Sequence, residues 1–487
     1  MTNRIHSLKY NAIMNSILSV SNIIFPLVTF PYVARVLLPS GNGKIAFAAS
    51  VANYFVLLAS LGIPTYGVRA CAIVRDDKDK LSKTVQEIFI INLIATIIVS
   101  AVYFVCVFAV PKFAAEKSLF LLNGITIVLN MFGMNWVFQA LEQYDYITFR
   151  SIFFKLVSIV LMFIMVRTAD DYVLYAGITV FAAVGSYCLN ILRVRKIINF
   201  TGYRDYNFRQ HLRPIFILFA QSLAISVYTN LDTVMLGLMK ADTEVGFYNA
   251  AVKIKLVLFG VITAYGSVLL PRMSYYFRHG MDKRFRAVMV SGVNVTEMLS
   301  VPLAAFFVVF ASEVMTLVAG NEYTEAVLPM RIIVTAIIPI GVAWVLGIQV
   351  LTPMGKEIYV LYSAIAGAAA DLVLNFILIP PMGAAGASLA TLAAEILVMA
   401  MQIYFLKDLF TEIKGSLRLH VYFAAAAVCA AVSLLMHRIP FDSAFIVLAV
   451  NAVVYFGLYF MILFAAKEPM LVRLADETLK RANIGRK

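Results

Sequence analysis

Charged side chains are scarce in this sequence. They make up 14% of 487 residues, where a water-soluble protein carries about a quarter. So little charge cannot wet a globular surface of this size, which excludes a string of soluble domains. Cysteine is scarcer still. Cys71, Cys106, Cys188 and Cys429 stand apart, mostly inside apolar stretches, without metal-ligand spacing. They read as buried free thiols, and neither a metal nor a cofactor is expected. No GxxxxGK[ST] phosphate loop occurs, and PSGNGK lacks the leading glycine, so an ATP-driven pump is disfavoured. A cleavable leader is not expected either, because the first apolar run is too long and no small-residue cleavage pattern follows it.

What is abundant is apolar. Hydrophobic residues reach 62% and the mean hydropathy is +0.87, spread over the whole chain. Lipid must be the solvent for most of it. Spans of roughly 20 apolar residues at 1.5 Å each predict an all-α membrane protein of about fourteen transmembrane helices. They fall near 10–36, 44–72, 84–110, 118–141, 149–167, 171–192, 214–239, 245–272, 286–312, 326–352, 357–380, 384–406, 417–436 and 442–465. Barrel strands would be about half as long and would alternate apolar with polar.

The net charge of +13 does not indicate a nucleic-acid binder, because Lys and Arg are confined to short breaks between apolar runs. With the N-terminus inside, the cytoplasmic loops and both tails hold about a fourfold excess of them, which predicts cytoplasmic termini. The longest cytoplasmic link, RVRKIINFTGYRDYNFRQHLR at 193–213, separates an expected six-helix lobe at 1–192 from a second at 214–406. Residues 407–466 supply two further helices and 467–487 a cytoplasmic tail, in which MLVRLADETLKRA suits an interfacial helix. The basic loops read as anchors to anionic membrane lipids.

The two halves echo each other at an offset of about 203 residues. GKIAFAASVANYFVLLASLGIPTYGVR, from Gly43, has the length of GFYNAAVKIKLVLFGVITAYGSVLLPR, from Gly246; Ala48 matches Ala251 and Ser19 matches Ser222. Spans one and seven begin on the same side, so the repeats are parallel and should enclose a central cavity between the two lobes.

Charges within spans are costly, on the order of 3 kcal/mol each, and usually face a partner or a watery cavity. Arg35 falls at the outer rim, Arg69 and Lys155 nearer the cytoplasm. The second half offers Asp232, Lys253, Lys255, Glu297, Arg331, Asp371 and Glu395, of which Glu297, Asp371 and Glu395 fall nearest the midplane. Asp232 and Lys253 share a depth of roughly 10–12 Å. Each charge reads either as a structural pair or snorkelling side chain, or as a working group: cations for a diphosphate, carboxylates for coupling protons or ions. Asn92, Asn130, Asn135, Gln139, Gln221, Asn230, Gln349 and Asn375 add amides suited to sugar hydroxyls.

Four stretches carry a family resemblance: FPYVARVLLPSGNGKIAFA with LGIPTYGVRACA, NWVFQALEQYDYITFR, NLDTVMLGLMKADTEVGFYNAAVKI, and NFILIPPMGAAGASLATLAAE. Together, in this order, the chain resembles the polysaccharide-unit flippases of O-antigen and capsule type. Their superfamily also holds multidrug exporters and lipid II flippases. One departure is Leu38, where glycine before the proline is common. The resemblance implies two six-helix lobes plus two C-terminal helices, alternating access, and an undecaprenyl-diphosphate-linked oligosaccharide moved to the outer leaflet of a bacterial cytoplasmic membrane. Arg69, Lys253, Arg331 and Arg35 are then the expected diphosphate-binding cations, and Asp232, Glu297, Asp371 and Glu395 the ion-coupling carboxylates. Asn135, Gln139, Gln221, Asn230 and Asn375 line the cavity. The expected partners are the lipid-linked oligosaccharide, a proton or sodium counter-ion and a polysaccharide polymerase. A drug or cation antiporter of the same fold is the rival reading. An enzyme using the same lipid is disfavoured, because no outer loop is large enough to build a pocket.

Overall fold

The computed structural model describes residues 7–200, 202–203, 205–266, 269–436 and 443–472. The side chains at 8, 9, 221, 224–229, 264–266 and 269 lie outside that description. Among the described residues there is no strand. In hydrocarbon, where no water can serve the backbone, a helix satisfies every peptide group within its own segment. Large apolar side chains point outward in quantity, with Val105 66%, Phe153 62% and Val453 76% exposed. Water would oppose such a surface and lipid accepts it: the chain is a multi-pass membrane protein.

Two compact units divide the chain, Met1–Gly246 and Phe247–Lys487. The first contains α1 (Leu8–Ser60), α2 (Ile63–Ile73), α3 (Lys78–Ala109), α4 (Pro111–Ala115), α5 (Lys117–Asn130), α6 (Asn135–Ala140), α7 (Tyr144–Met165), α8 (Tyr172–Val184), α9 (Tyr187–Ile197), α10 (Arg209–Met239) and the start of α11 (Asp242–Gly266). In it α1 packs against α3, α5, α7 and α10, and α2 against α6. The second unit continues with α12 (Leu269–Arg278), α13 (Asp282–Val309), α14 (Ala311–Val318), α15 (Val327–Thr335), α16 (Ile337–Trp344), α17 (Glu357–Phe405), α18 (Lys407–Ile413), α19 (Leu419–Met436) and α20 (Ala444–Ala465). There α13 packs on α15, α16 and α19, and α17 on α15 and α16.

Eleven helical stretches among the described residues are long and apolar enough to cross a membrane. Two of them run past one crossing. The 53 residues of α1 would extend about 80 Å if straight, far beyond a hydrocarbon core of about 30 Å. The helix breaks at Leu38 (φ 59°, ψ 175°). Pro39 follows, which disfavours helical geometry in the residue before it and suits the first position of the helix after it. α17 breaks likewise at Gly383 (φ 55°) beyond Pro380 and Pro381. Runs joined through such turns count once, which accounts for two of the three crossings by which eleven differs from the fourteen expected; α10 is not among the eleven.

Several expected spans are assembled from pieces. The fourth is α5 and α6 with a break at 131–134, where Met134 adopts φ 42°. The sixth is α8 and α9, parted at Gly185 and Ser186. The second breaks at Leu61 (φ 49°) before Gly62 and Pro64 begin α2. The basic link is shorter than expected, since α9 runs to Ile197 and α10 begins at Arg209, and what remains is tied down. Asp205 pairs with Lys83 at 2.6 Å, and Gln86 Nε2 donates to the Asn199 carbonyl at 2.6 Å. The Asn207 N–H donates to Glu87 at 2.7 Å. Glu87 and His211, both buried, meet at 2.7 Å, while Tyr66 OH meets His211 Nδ1 at 2.7 Å. Most of the expected tail helix, from residue 473 onward, lies outside the described residues.

Candidate functional site

Three of the helix breaks in the first unit come together. Ser60, Ile63 and Pro64 from the α1–α2 break, Asn130, Gly133, Met134 and Asn135 from the α5–α6 break, and Tyr187 from the α8–α9 break line one cavity of about 210 Å³, with Asn92, Trp136 and Gln139. Irregular backbone at membrane depth is tolerated where it lines a polar space, and discontinuous helices of this kind mark binding sites in transporters. Amide side chains take up peptide groups that the breaks release. Asn92 Nδ2 donates to the Ala59 carbonyl at 2.9 Å and Asn190 Nδ2 donates to the Gly133 carbonyl; Asn130 Nδ2 donates to the Ser60 hydroxyl at 2.7 Å.

A second cavity, of about 450 Å³, shares Asn135, Gln139 and Tyr187 with the first and adds Asn22, Ser151, Lys155 and Thr179. One cation, Lys155, lines this space, and a second, Arg150, lies behind its wall against Asn135. Arg150 is 6% exposed; it donates through Nη2 to Asn135 Oδ1 at 2.9 Å and through Nη1 to Asn190 Oδ1. Its guanidinium lies 5.3 Å from the ring centre of Tyr146 and 5.7 Å from that of Tyr187. Lys155, midway along α7, donates to Ser21 Oγ at 3.1 Å and to Asn22 Oδ1. Among the described residues no carboxylate pairs with either cation, and none lines either cavity. Glu142, just before α7, is taken by Arg75 at 2.7 Å and Asn11 at 3.2 Å. The space is therefore electropositive and rich in amides and hydroxyls: chemistry for an anionic, hydroxylated ligand.

Of the residues expected from sequence, Asn135 and Gln139 line both cavities, and Asn92 and Asn130 the smaller. The Gln221 side chain lies outside the described residues. Asn230 is half-buried on α10 and Asn375 buried on α17; neither lines these cavities. The cations are dispersed. Arg35 is exposed on α1, where Nη1 donates to the Pro31 carbonyl at 2.8 Å; Arg69 on α2 and Arg331 on α15 are exposed, and Lys253 on α11 is half-buried. Asp232, Glu297, Asp371 and Glu395 are all buried, and Ser300 Oγ donates to Glu297 at 3.3 Å. Sequence reasoning missed Arg150 and Asn190. A span drawn from 149 puts Arg150 at the rim, whereas α7 begins at Tyr144 and carries it inside. Lys155 moves from the cytoplasmic side to mid-helix for the same reason.

The quoted stretches meet in pairs. A Cβ on Gly67 of LGIPTYGVRACA would lie 2.6 Å from the Trp136 ring of NWVFQALEQYDYITFR. A Cβ on Gly43 would lie 1.7 Å from the Asp242 carbonyl oxygen, and one on Gly246 would lie 2.0 Å from that of Pro39. Gly246 and Asp242 are Gly43 and Pro39 advanced by the repeat offset of 203, so the contact is reciprocal, as in a two-fold interface.

Comparison with known proteins agrees with this architecture. Two curated relatives, from Escherichia coli (strain K12) and Shigella dysenteriae, both carry the name "Putative O-antigen transporter". The first is 27% identical over 84% of this chain and 98% of its own, the second 23% over 82% and 100%. Among solved structures, the lipid II flippase MurJ in an inward closed conformation matches with a TM-score of 0.77 at 12% identity, covering 94% of this chain and all of that one. An inward-facing multidrug resistance MATE transporter matches with a TM-score of 0.58 at 12% identity, over 81% and 99%. These structures share the fold. Residues 8–277 match the family described as Polysaccharide biosynthesis protein, more than half of the chain, and the chain belongs to that family.

Proposed function

We propose that the protein is a flippase that moves an undecaprenyl-diphosphate-linked oligosaccharide repeat unit from the cytoplasmic to the outer leaflet, by alternating access, for surface polysaccharide biosynthesis. The observation that carries this reading is the electropositive polar cavity at the convergence of three broken helices, in a chain of this family. A saccharide leaving water needs a partner for each hydroxyl, and its diphosphate needs cations. A multidrug ligand asks for a mostly apolar pocket.

In this reading the membrane is the bacterial cytoplasmic membrane and both termini are cytoplasmic. Lobes 1–192 and 214–406 are joined by 193–213, with helices 407–466 and tail 467–487 appended. Arg69, Lys253, Arg331 and Arg35 serve the diphosphate along its path. Asp232, Glu297, Asp371 and Glu395 carry a coupling proton or sodium ion, and Asn135, Gln139, Gln221, Asn230 and Asn375 meet the sugars. A polysaccharide polymerase consumes what is delivered, and the protein itself makes and breaks no covalent bond.

The test is a headgroup-accessibility assay in liposomes carrying a fluorescent lipid-linked oligosaccharide. The wild-type protein should expose headgroups from the inner leaflet, and Asn135→Leu with Gln139→Leu should slow it about tenfold or more, the loss of one or two hydrogen bonds, while still inserting. A wild-type protein that exports a cationic dye against a proton gradient and leaves the oligosaccharide in place would replace this reading with the antiporter.

A further inference from the structure

The larger polar cavity has an apolar neighbour. Between α1 and α7 runs a groove of about 560 Å³ lined by Ile13, Ile17, Val20 and Ile24 on one side and by Leu156 and Ile159 on the other. The α1 residues recur at intervals of three and four and form one stripe along the helix. They are 40–55% exposed, at 55%, 42%, 51% and 50% in that order. On the same helix Leu18 and Asn22 face the polar cavity instead, and Phe25 borders both spaces. Lys155 is shared by both spaces. Its ammonium is held by Ser21 Oγ and Asn22 Oδ1, two neutral acceptors, at the seam between them.

We infer that this seam is the seat of the substrate's phosphate: the isoprenoid chain enters the α1–α7 groove, Lys155 holds the phosphate next to it, and the saccharide extends into the polar cavity. The inference rests on the flippase reading and gives it a specific place. Apolar groove, cation and polar cavity follow one another in the order in which a lipid-linked saccharide presents chain, phosphate and sugar. A cation at mid-helix without a carboxylate is costly unless an anion reaches it, and here the exposed groove supplies the route. An ordinary acyl chain would fill the groove without needing Lys155.

The test uses the full-length protein in nanodiscs of phosphatidylcholine, with the photoreactive residue p-benzoylphenylalanine in place of Ile17 and undecaprenyl diphosphate as the probe. Irradiation should give a covalent adduct. Lys155→Gln should reduce it about fivefold or more, Lys155→Arg should retain it, and a tenfold excess of phosphatidylglycerol should not compete. Val20→Trp, which fills the groove at an exposed position, should abolish it whatever Lys155 does to folding. An adduct that persists undiminished without Lys155, or that phosphatidylglycerol displaces, overturns the inference and leaves an annular lipid site. Adduct formation is read without transport. Normal flipping with no Ile17 adduct therefore sinks the groove alone, and an adduct without flipping of the oligosaccharide sinks the flippase reading.

Discussion

At Leu38 the backbone holds φ 59° and ψ 175°, a region that glycine occupies freely and that costs other residues of order 1–3 kcal/mol. The side chain is 37% exposed, so little packing repays the strain. What holds the turn is Asn42, whose Nδ2 donates to the Leu38 carbonyl at 3.0 Å and to that of Val33 at 3.3 Å. Leu38→Gly should therefore stabilise the protein by about 1 kcal/mol, read as a higher melting temperature in detergent; an unchanged or lower value would show that the turn is not strained. Arg150 is the opposite case, a residue whose planar fork is used twice, on Asn135 and Asn190. Lysine keeps the charge but offers a single nitrogen. Arg150→Lys should cost about 1–2 kcal/mol through the amide left unpaired and lower the melting temperature. Equal stability would mean that charge alone sets the cavity wall.

Helix pairing reads differently from helix content. The apolar runs were legible because a span needs about 20 such residues whatever its neighbours do, and Asn135 and Gln139 were legible as amides stranded in one. The breaks were not. A single left-handed residue such as Met134 or Leu61 leaves hydropathy unchanged, so a window of span length averages it away, and with it the cavity the breaks create. Arg150 was lost because a boundary drawn by hydropathy starts α7 five residues late. The glycines carried more than they showed. Alanine at Gly43 or Gly246 would drive Cβ into a carbonyl oxygen of the other repeat, and overpacking of this kind costs about 1–3 kcal/mol. Because one separation relieves both clashes, the double variant should lose clearly less stability than the sum of the singles. Strict additivity of the two melting shifts would mean that the contacts open independently.

On the scale of the whole molecule, alternating access requires the outer ends of the helices to part and close. Lys112 Nζ donates to the Lys240 carbonyl at 2.8 Å, beside the reciprocal glycine contact. With the four native cysteines replaced, Lys112→Cys and Lys240→Cys should accept a short cleavable bis-maleimide. Flipping should then stop, and cleaving the linker should restore it. Full transport by the linked protein would show that this end need not open. Near the N-terminus of α3, Lys83, Gln86 and Glu87 hold Asp205, Asn199 and Asn207 in place.

The Gly43–Asp242 and Gly246–Pro39 contacts are made between main chains, with no side chain to bend or re-rotamerise in between. Packed backbone tolerates very little compression or drift. Where one separation relieves both contacts, a joint built on such surfaces has no graded intermediate: it is seated or it is free. The repeat offset thus puts one glycine and one carbonyl on each side, which makes the contact a latch. The 203-residue spacing is part of that latch, since a residue inserted into either of these turns would unseat both sides.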